Sequence, residues 1–316
     1  MTENAKELFG ATATPLASIF GSGFLVIVPI LAGAVGPYAW LAMICVCVLA
    51  YAMGSVIRFN IRHTEPLLEA GKAPHRAVFF ERTSDLALVI AYAIPVCLYI
   101  RILAAFLLGG LGIDTPLNEH VVTVAVIGVI GFVGYTKGLD MLQNLEKVAL
   151  AITLIIIVAL LTGFAFYDAN TLKGPGIQLP TMPDHSWWEI LTIVGGTLIV
   201  VQGSVLLPVP LVIAAVLSQF SAAVADTIGG GGNMVEATKQ HVDSRHAYLL
   251  ICGIAVMVAF FNTLTVLTLA SRAFAFYYTL QCLVAFNVSK SPAQRFGIAL
   301  VAAALGFITL FAVPAG

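Results

Sequence analysis

The chain has 316 residues, of which 60% are hydrophobic and only 10% charged, with a formal net charge of −1. Its mean hydropathy is +1.00, whereas soluble domains carry roughly 25% charged residues. This balance excludes a soluble globular domain and gives no ground for a nucleic-acid partner. The fold class it predicts is all-α and polytopic, with the lipid bilayer as solvent.

Residues 1–14 are polar and mixed in charge, and lack the basic start and small-residue cleavage site of a signal peptide. Apolar runs then predict crossings at about 15–35, 37–59, 84–109, 120–136, 145–167 and 187–203. A further apolar stretch follows at 205–228, then runs at about 247–262, 264–287 and 294–314. That makes about ten, each near the ~20 residues a spanning helix needs, apart from the short run at 247–262. The polar stretches between them, longest at 60–83, 168–186 and 229–246, leave no room for a soluble domain. The whole of 1–316 therefore reads as a single transmembrane domain.

The first apolar run contains Gly21-Ser22-Gly23 at its middle, with Pro29 beyond. In lipid a helix bonds its own backbone groups, and breaks are tolerated only where they line a protein-walled cavity. A broken first helix therefore points to a binding site near the membrane midplane. The plainer alternative is that the glycines let helices approach closely.

Basic residues set an orientation. Arg58, Arg62, Lys72, Arg76 and Arg82 place the 58–83 region in the cytoplasm, and the N-terminus with it. The 110–120 loop has no Lys or Arg and faces out; Lys137 and Lys147 flank an inner loop; the 168–186 loop, with Lys173 alone, faces out. Lys239 and Arg245 then make 229–246 cytoplasmic, which needs an odd number of crossings from 187 to 228. Those 42 residues hold two apolar runs, and three full crossings need ~60. Either about one transmembrane segment is missing near Gly203-Ser204, or Pro208 and Pro210 sit in a re-entrant segment, or two basic residues are too few to orient the loop.

Ile19-Phe20-Gly21-Ser22-Gly23-Phe24-Leu25, with Pro29 and Gly36, resembles the first-helix signature of the amino acid–polyamine–organocation (APC) permeases. Val200-Val201-Gln202-Gly203 resembles the run into the sixth-helix break of that superfamily. The run at 217–227, containing Ser218, Gln219, Ser221, Ala223, Asp226 and Thr227, resembles its eighth helix. The resemblance implies a LeuT-type fold of two inverted five-helix repeats. Repeat one would cover about 12–167 and repeat two about 187–288, followed by an extra helix at about 294–314. It also implies that part of helix six and helix seven are absent near 203–204, where the parity of the charges also fails.

By the same resemblance, Gly21, Ser22 and Gly23 would bind the carboxylate of an amino-acid substrate, and Val201, Gln202 and Gly203 would offer carbonyls to its ammonium. Exposed N–H groups and the helix dipole favour an anion at such a break. On a helix, positions i, i+3 and i+4 share a face. The Ala223 carbonyl, the Asp226 carboxylate and the Thr227 hydroxyl thus suit one small hard cation. With Ala17 and Phe20 they match a sodium site of LeuT-type symporters. Asp226 has two plainer readings, as a cap near the Gly229–Gly232 run or as the partner of a basic group. The competing coupling ion is a proton, through Lys147 or through Asp226 itself.

The expected function is secondary active transport of an amino acid or similar zwitterion by alternating access, sodium-coupled, in a bacterial or archaeal cytoplasmic membrane. The alternatives are a proton-coupled permease or exchanger, and a non-transporting sensor or scaffold on a transporter fold. No enzyme is expected and no cofactor beyond sodium; the partners are the small-molecule substrate and the lipid. The five cysteines read as small packing residues. Gly229–Gly232 lacks the Lys-Ser/Thr of a phosphate loop. Arg101 and Arg272 lie inside apolar runs, where arginines face a partner or a cavity. Arg272 is expected at Asp226 or in the vestibule, Arg101 at the outer surface.

Overall fold

In the computed structural model the described residues are 27–172, 186, 189–190 and 209–312. Among them all regular structure is helical. Helix α1 spans Ile27–Val35 and leads through a tight 3-10 turn, Gly36–Tyr38, into α2, Ala39–Phe59. A π-helical turn, Asn60–Thr64, joins α2 to the short α3, Glu65–Glu69. Then come α4 (His75–Leu111), α5 (Pro116–Lys137), α6 (Leu139–Leu172), α7 (Val209–Ala237), α8 (Ser244–Val258), α9 (Thr263–Val288) and α10 (Pro292–Phe311). Among the described residues, seven helical stretches are long and apolar enough to cross a bilayer. That is fewer than the ten expected, because the 187–203 run and most of 15–35 lie outside the described residues and the 247–262 run forms only a short helix. Helix α8, with 15 residues, is about 22 Å long at 1.5 Å per residue, shorter than the ~30 Å hydrocarbon core.

The helix ends follow from local chemistry. Gly112 (φ 69°) stops α4 in the left-handed region, where the Ile113 N–H reaches back to the Leu108 carbonyl at 3.1 Å. Thr115 then caps α5 by accepting from the Asn118 N–H at 3.2 Å, with Pro116 in the first turn. Asp243 caps α8 and Asn262 caps α9 in the same way. Two polar stretches expected to be loops are largely helical. The 60–83 stretch is helical except at 70–74, and 229–246 is helical through Ala237. The helices project beyond the apolar run in both cases, and hydropathy alone locates the run.

Helix α4 is the centre of the bundle. It packs against α7, α9, α8 and α5. From Val89 to Leu108 most of its side chains are buried, Leu98 and Ile100 completely. Small residues are buried on both helices: Ala91, Ala93 and Ala104 on α4, and Ala214, Ala215, Ala222 and Ala223 on α7. Lipid supplies no hydrophobic drive between helices, so close van der Waals packing at small residues carries the association.

The glycine run is the tightest case. It lies inside α7, not at its end, so Asp226 does not cap a helix there. A β-carbon on Gly231 would sit 2.5 Å from the Tyr248 ring of α8. One on Gly230 would meet Tyr92 of α4 at 2.8 Å and Ile251 of α8 at 3.0 Å. Each interior glycine weakens a helix by up to ~1 kcal/mol. Here that cost is offset by two aromatic rings seated directly on the backbone.

The two intramembrane arginines are structural ties. Arg101 donates to Thr263 Oγ1 and to the Ala259 carbonyl, both at 3.1 Å, and so binds α4 to the turn between α8 and α9. Arg272 does not turn to Asp226. Its Nε and Nη2 both donate to the Ala312 carbonyl, at 3.1 and 3.0 Å, closing the end of α10.

Candidate functional site

Helix α7 carries a run of buried polar residues through an otherwise apolar bundle: Ser218, Gln219, Ser221, Asp226 and Thr227. Tyr99 of α4 and Ser271 of α9 are also buried polar residues at the core of the bundle. The serines return to their own helix, with Ser218 Oγ donating to the Ala215 carbonyl and Ser221 Oγ to the Ser218 carbonyl, both at 3.0 Å. This back-bonding is how a hydroxyl is tolerated inside a helix in lipid.

The three α7 members of the expected ion site are all buried. Thr227 Oγ1 donates to the Ala223 carbonyl at 2.8 Å, so these two oxygens are adjacent. The same hydroxyl meets the Cys252 thiol of α8. Asp226, only 1% exposed, lies one residue round the helix, within electrostatic reach of Tyr92 on α4 and Tyr278 on α9. An aromatic wall stands beside it: Tyr92 meets Phe274 edge-on at 5.7 Å, and Phe274 stacks on Tyr278 at 6.4 Å. The other expected site residues, Ala17, Phe20, Gly21, Ser22, Gly23, Val201, Gln202 and Gly203, lie outside the described residues.

A carboxylate held in so dry a place calls for a cation, a proton or hydrogen bonds to compensate it. Among the described residues no three His, Cys, Asp or Glu side chains gather as for a metal ion. The chemistry on offer is one carboxylate among carbonyl and hydroxyl oxygens, a hard-oxygen set.

Several of these residues escaped the sequence reading as site candidates. Tyr99 sits in an apolar run, Gln219 among serines and Ser271 beside Arg272, so each has a plainer explanation in sequence. A lone serine or tyrosine in a membrane helix gives the same signal whether it packs or binds. Glu146 of α6 is 1% exposed, although it follows a polar stretch and stands beside Lys147, where sequence alone suggests a solvated helix start. Phe274, Phe276, Tyr277 and Tyr278 lie in an apolar run, where aromatic residues serve packing as readily as binding. Phe274 and Tyr278 face Tyr92, whereas Phe276 is 42% exposed.

Comparison with known proteins adds two findings. A family model described as "APC superfamily transporter" matches residues 2–204 and again 204–316. An uncharacterized protein of Aquifex aeolicus (strain VF5) is 32% identical over 376 residues, covering 97% of this chain and 91% of the relative. The aligned stretch exceeds the part of this chain that it covers, so the relative carries about 70 aligned residues without a counterpart here. The family match divides at 204, within the region where a missing segment is expected from the sequence.

Proposed function

The chain belongs to the APC superfamily of transporters, and from that premise we propose that it is a secondary active transporter of an amino acid or similar small zwitterion. In this reading sodium binds between the first helix and α7, held by Ala17, Phe20, Ala223, Asp226 and Thr227. Gly21, Ser22 and Gly23 take the substrate carboxylate on helix-terminal N–H groups, and Val201, Gln202 and Gly203 take its ammonium. Transport proceeds by alternating access across a LeuT-type inverted repeat, with the end that bears Arg58 to Arg82 in the cytoplasm. The observation that carries the ion site is the burial of Asp226 beside the paired oxygens of Ala223 and Thr227.

The test is uptake of labelled amino acids into proteoliposomes under an imposed sodium or proton gradient. Sodium-driven uptake that collapses at least about tenfold in Asp226→Ala is expected, as for removal of a charged ligand from a buried site. Sodium-driven uptake that survives Asp226→Ala removes the ion site and leaves the transporter. Uptake driven only by protons selects the proton-coupled reading.

A second reading rests on a separate observation. The relative carries about 70 aligned residues that this chain lacks, and the family match is interrupted at 204. A chain lacking part of helix six and helix seven lacks one wall of its substrate site, which suits a sensor or scaffold that binds without transporting. No uptake under any gradient, with substrate binding retained, is the outcome that selects it.

A further inference from the structure

A second polar centre lies at the basic end of the bundle, where α2, α4 and α9 meet. Gln281 of α9 is its hub. Its Oε1 accepts from Asn60 Nδ2 at 2.7 Å, and its backbone carbonyl accepts from the same Nδ2 at 2.9 Å. Its Nε2 donates to Ser84 Oγ at 2.9 Å and to Glu81 Oε2 at 3.2 Å. Thr64 Oγ1 supports the joint by donating to Asn60 Oδ1 at 3.1 Å. Asn60, Thr64, Ser84 and Gln281 are all buried. Three helices distant in sequence are thus fastened at one amide.

Three features mark this joint as one that opens. First, it is polar in a place where an apolar contact would be at least as stable, since buried polar groups contribute little net stability while fixing register. Its bonds exchange readily for bonds to water, which interlocked aliphatic side chains cannot do. Second, Asn60 and Thr64 bound the π-helical turn. Such turns hold an extra residue that a helix can expel by shifting register, and they recur at functional sites.

Third, the joint adjoins a cavity of about 140 Å³, lined in part by Asn60, Thr64, Glu65, Glu81, Tyr277 and Gln281. Asp85 on α4, Glu65 on α3 and Glu236 on α7 place further carboxylates around Glu81. On α9, Tyr277 lines this cavity and the next residue, Tyr278, stands beside Asp226. Adjacent residues of α9 thus face the cavity and the proposed ion site.

We propose that the Gln281 joint is a gate at the basic end of the bundle, closed in this structure, whose parting of α2 and α4 from α9 admits water to the buried polar face of α7. The gate rests on the transport reading, as the inner door of its pathway. Its test does not depend on transport. In a background with the five cysteines replaced by serine or alanine, Phe274→Cys places a thiol beyond the gate. A membrane-impermeant thiol reagent is applied from the basic side in proteoliposomes.

Gln281→Leu, which removes every side-chain bond of the hub, is expected to raise the labelling rate roughly tenfold, and Ser84→Ala, which removes one bond, by roughly two- to threefold. Asn60→Ala opens the same joint from α2 and is expected to match Gln281→Leu; it replaces that variant should Gln281→Leu fail to elute as a single folded species. Labelling unchanged by both substitutions overturns the gate, whether or not uptake is observed. Faster labelling in a protein that takes up nothing under any gradient keeps the gate and removes the transport reading.

Discussion

A single β-carbon separates two kinds of glycine in α7. Gly231 touches the Tyr248 ring, whereas Gly232 has nothing within 4 Å of the position its β-carbon would take. Gly231→Ala is expected to destabilise the protein by about 1–3 kcal/mol, as forced overpacking does. Gly232→Ala should be neutral or stabilising by up to ~1 kcal/mol, from helix propensity alone. Thermal unfolding of the detergent-solubilised variants, compared side by side, checks both; equal shifts would show that α7 does not sit against α8 as described. The sequence signals the glycine run clearly but not its meaning. Four glycines in a row suit a loop as well as a packing face, and only the rings of Tyr92 and Tyr248, distant in sequence, decide between them. Asp226 was legible for the opposite reason, because a carboxylate inside an apolar run has few structural uses.

At the level of elements, apolar runs located the helices well and their ends poorly. Helix α7 continues nine residues past the expected 228, and α4 begins nine residues before the expected 84. Hydropathy reports the bilayer core, while helices project into water at both ends. Capping residues carry the information that hydropathy lacks. The cap of α8 also yields a pH prediction. The side chain and backbone N–H of His246 both bond the Asp243 carboxylate and hold its pKa below the ordinary aspartate range. A carboxylate depressed in the folded state contributes stability above its unfolded pKa and loses it as pH falls through the folded value. The first turn of α8 should therefore exchange its amide hydrogens faster as pH falls from the ordinary aspartate range to below it. Asp243→Asn, which keeps an acceptor but no charge, should flatten that dependence; a profile identical to the parent's would remove Asp243 as its source.

For the whole molecule, the break at 204 is the feature that matters most. It was legible as a counting problem, since too few residues lay between two loops whose charges place them on opposite sides. The family match divides at the same residue, and the relative carries about 70 aligned residues that this chain lacks. Grafting the relative's extra segment between Gly203 and Ser204 is accordingly expected to raise sodium-driven uptake if the chain is a transporter short of a wall. An unchanged rate in a folded graft would show that the present chain is sufficient as it stands.

The two tyrosine rings set on α7 have a mechanical consequence. Tyr92 from α4 and Tyr248 from α8 grip the helix from two sides at Gly229 to Gly231. Sliding α7 along its axis would drive a β-carbon from Ile228 or Gly232's neighbour Asn233 into a ring. Tilting about the grip moves none of these contacts far. The glycine run is thus a fulcrum: α7 can rock against its neighbours but cannot travel past them, and a lever so pinned converts a displacement near the basic end into an opposite one beside Ser218 and Gln219.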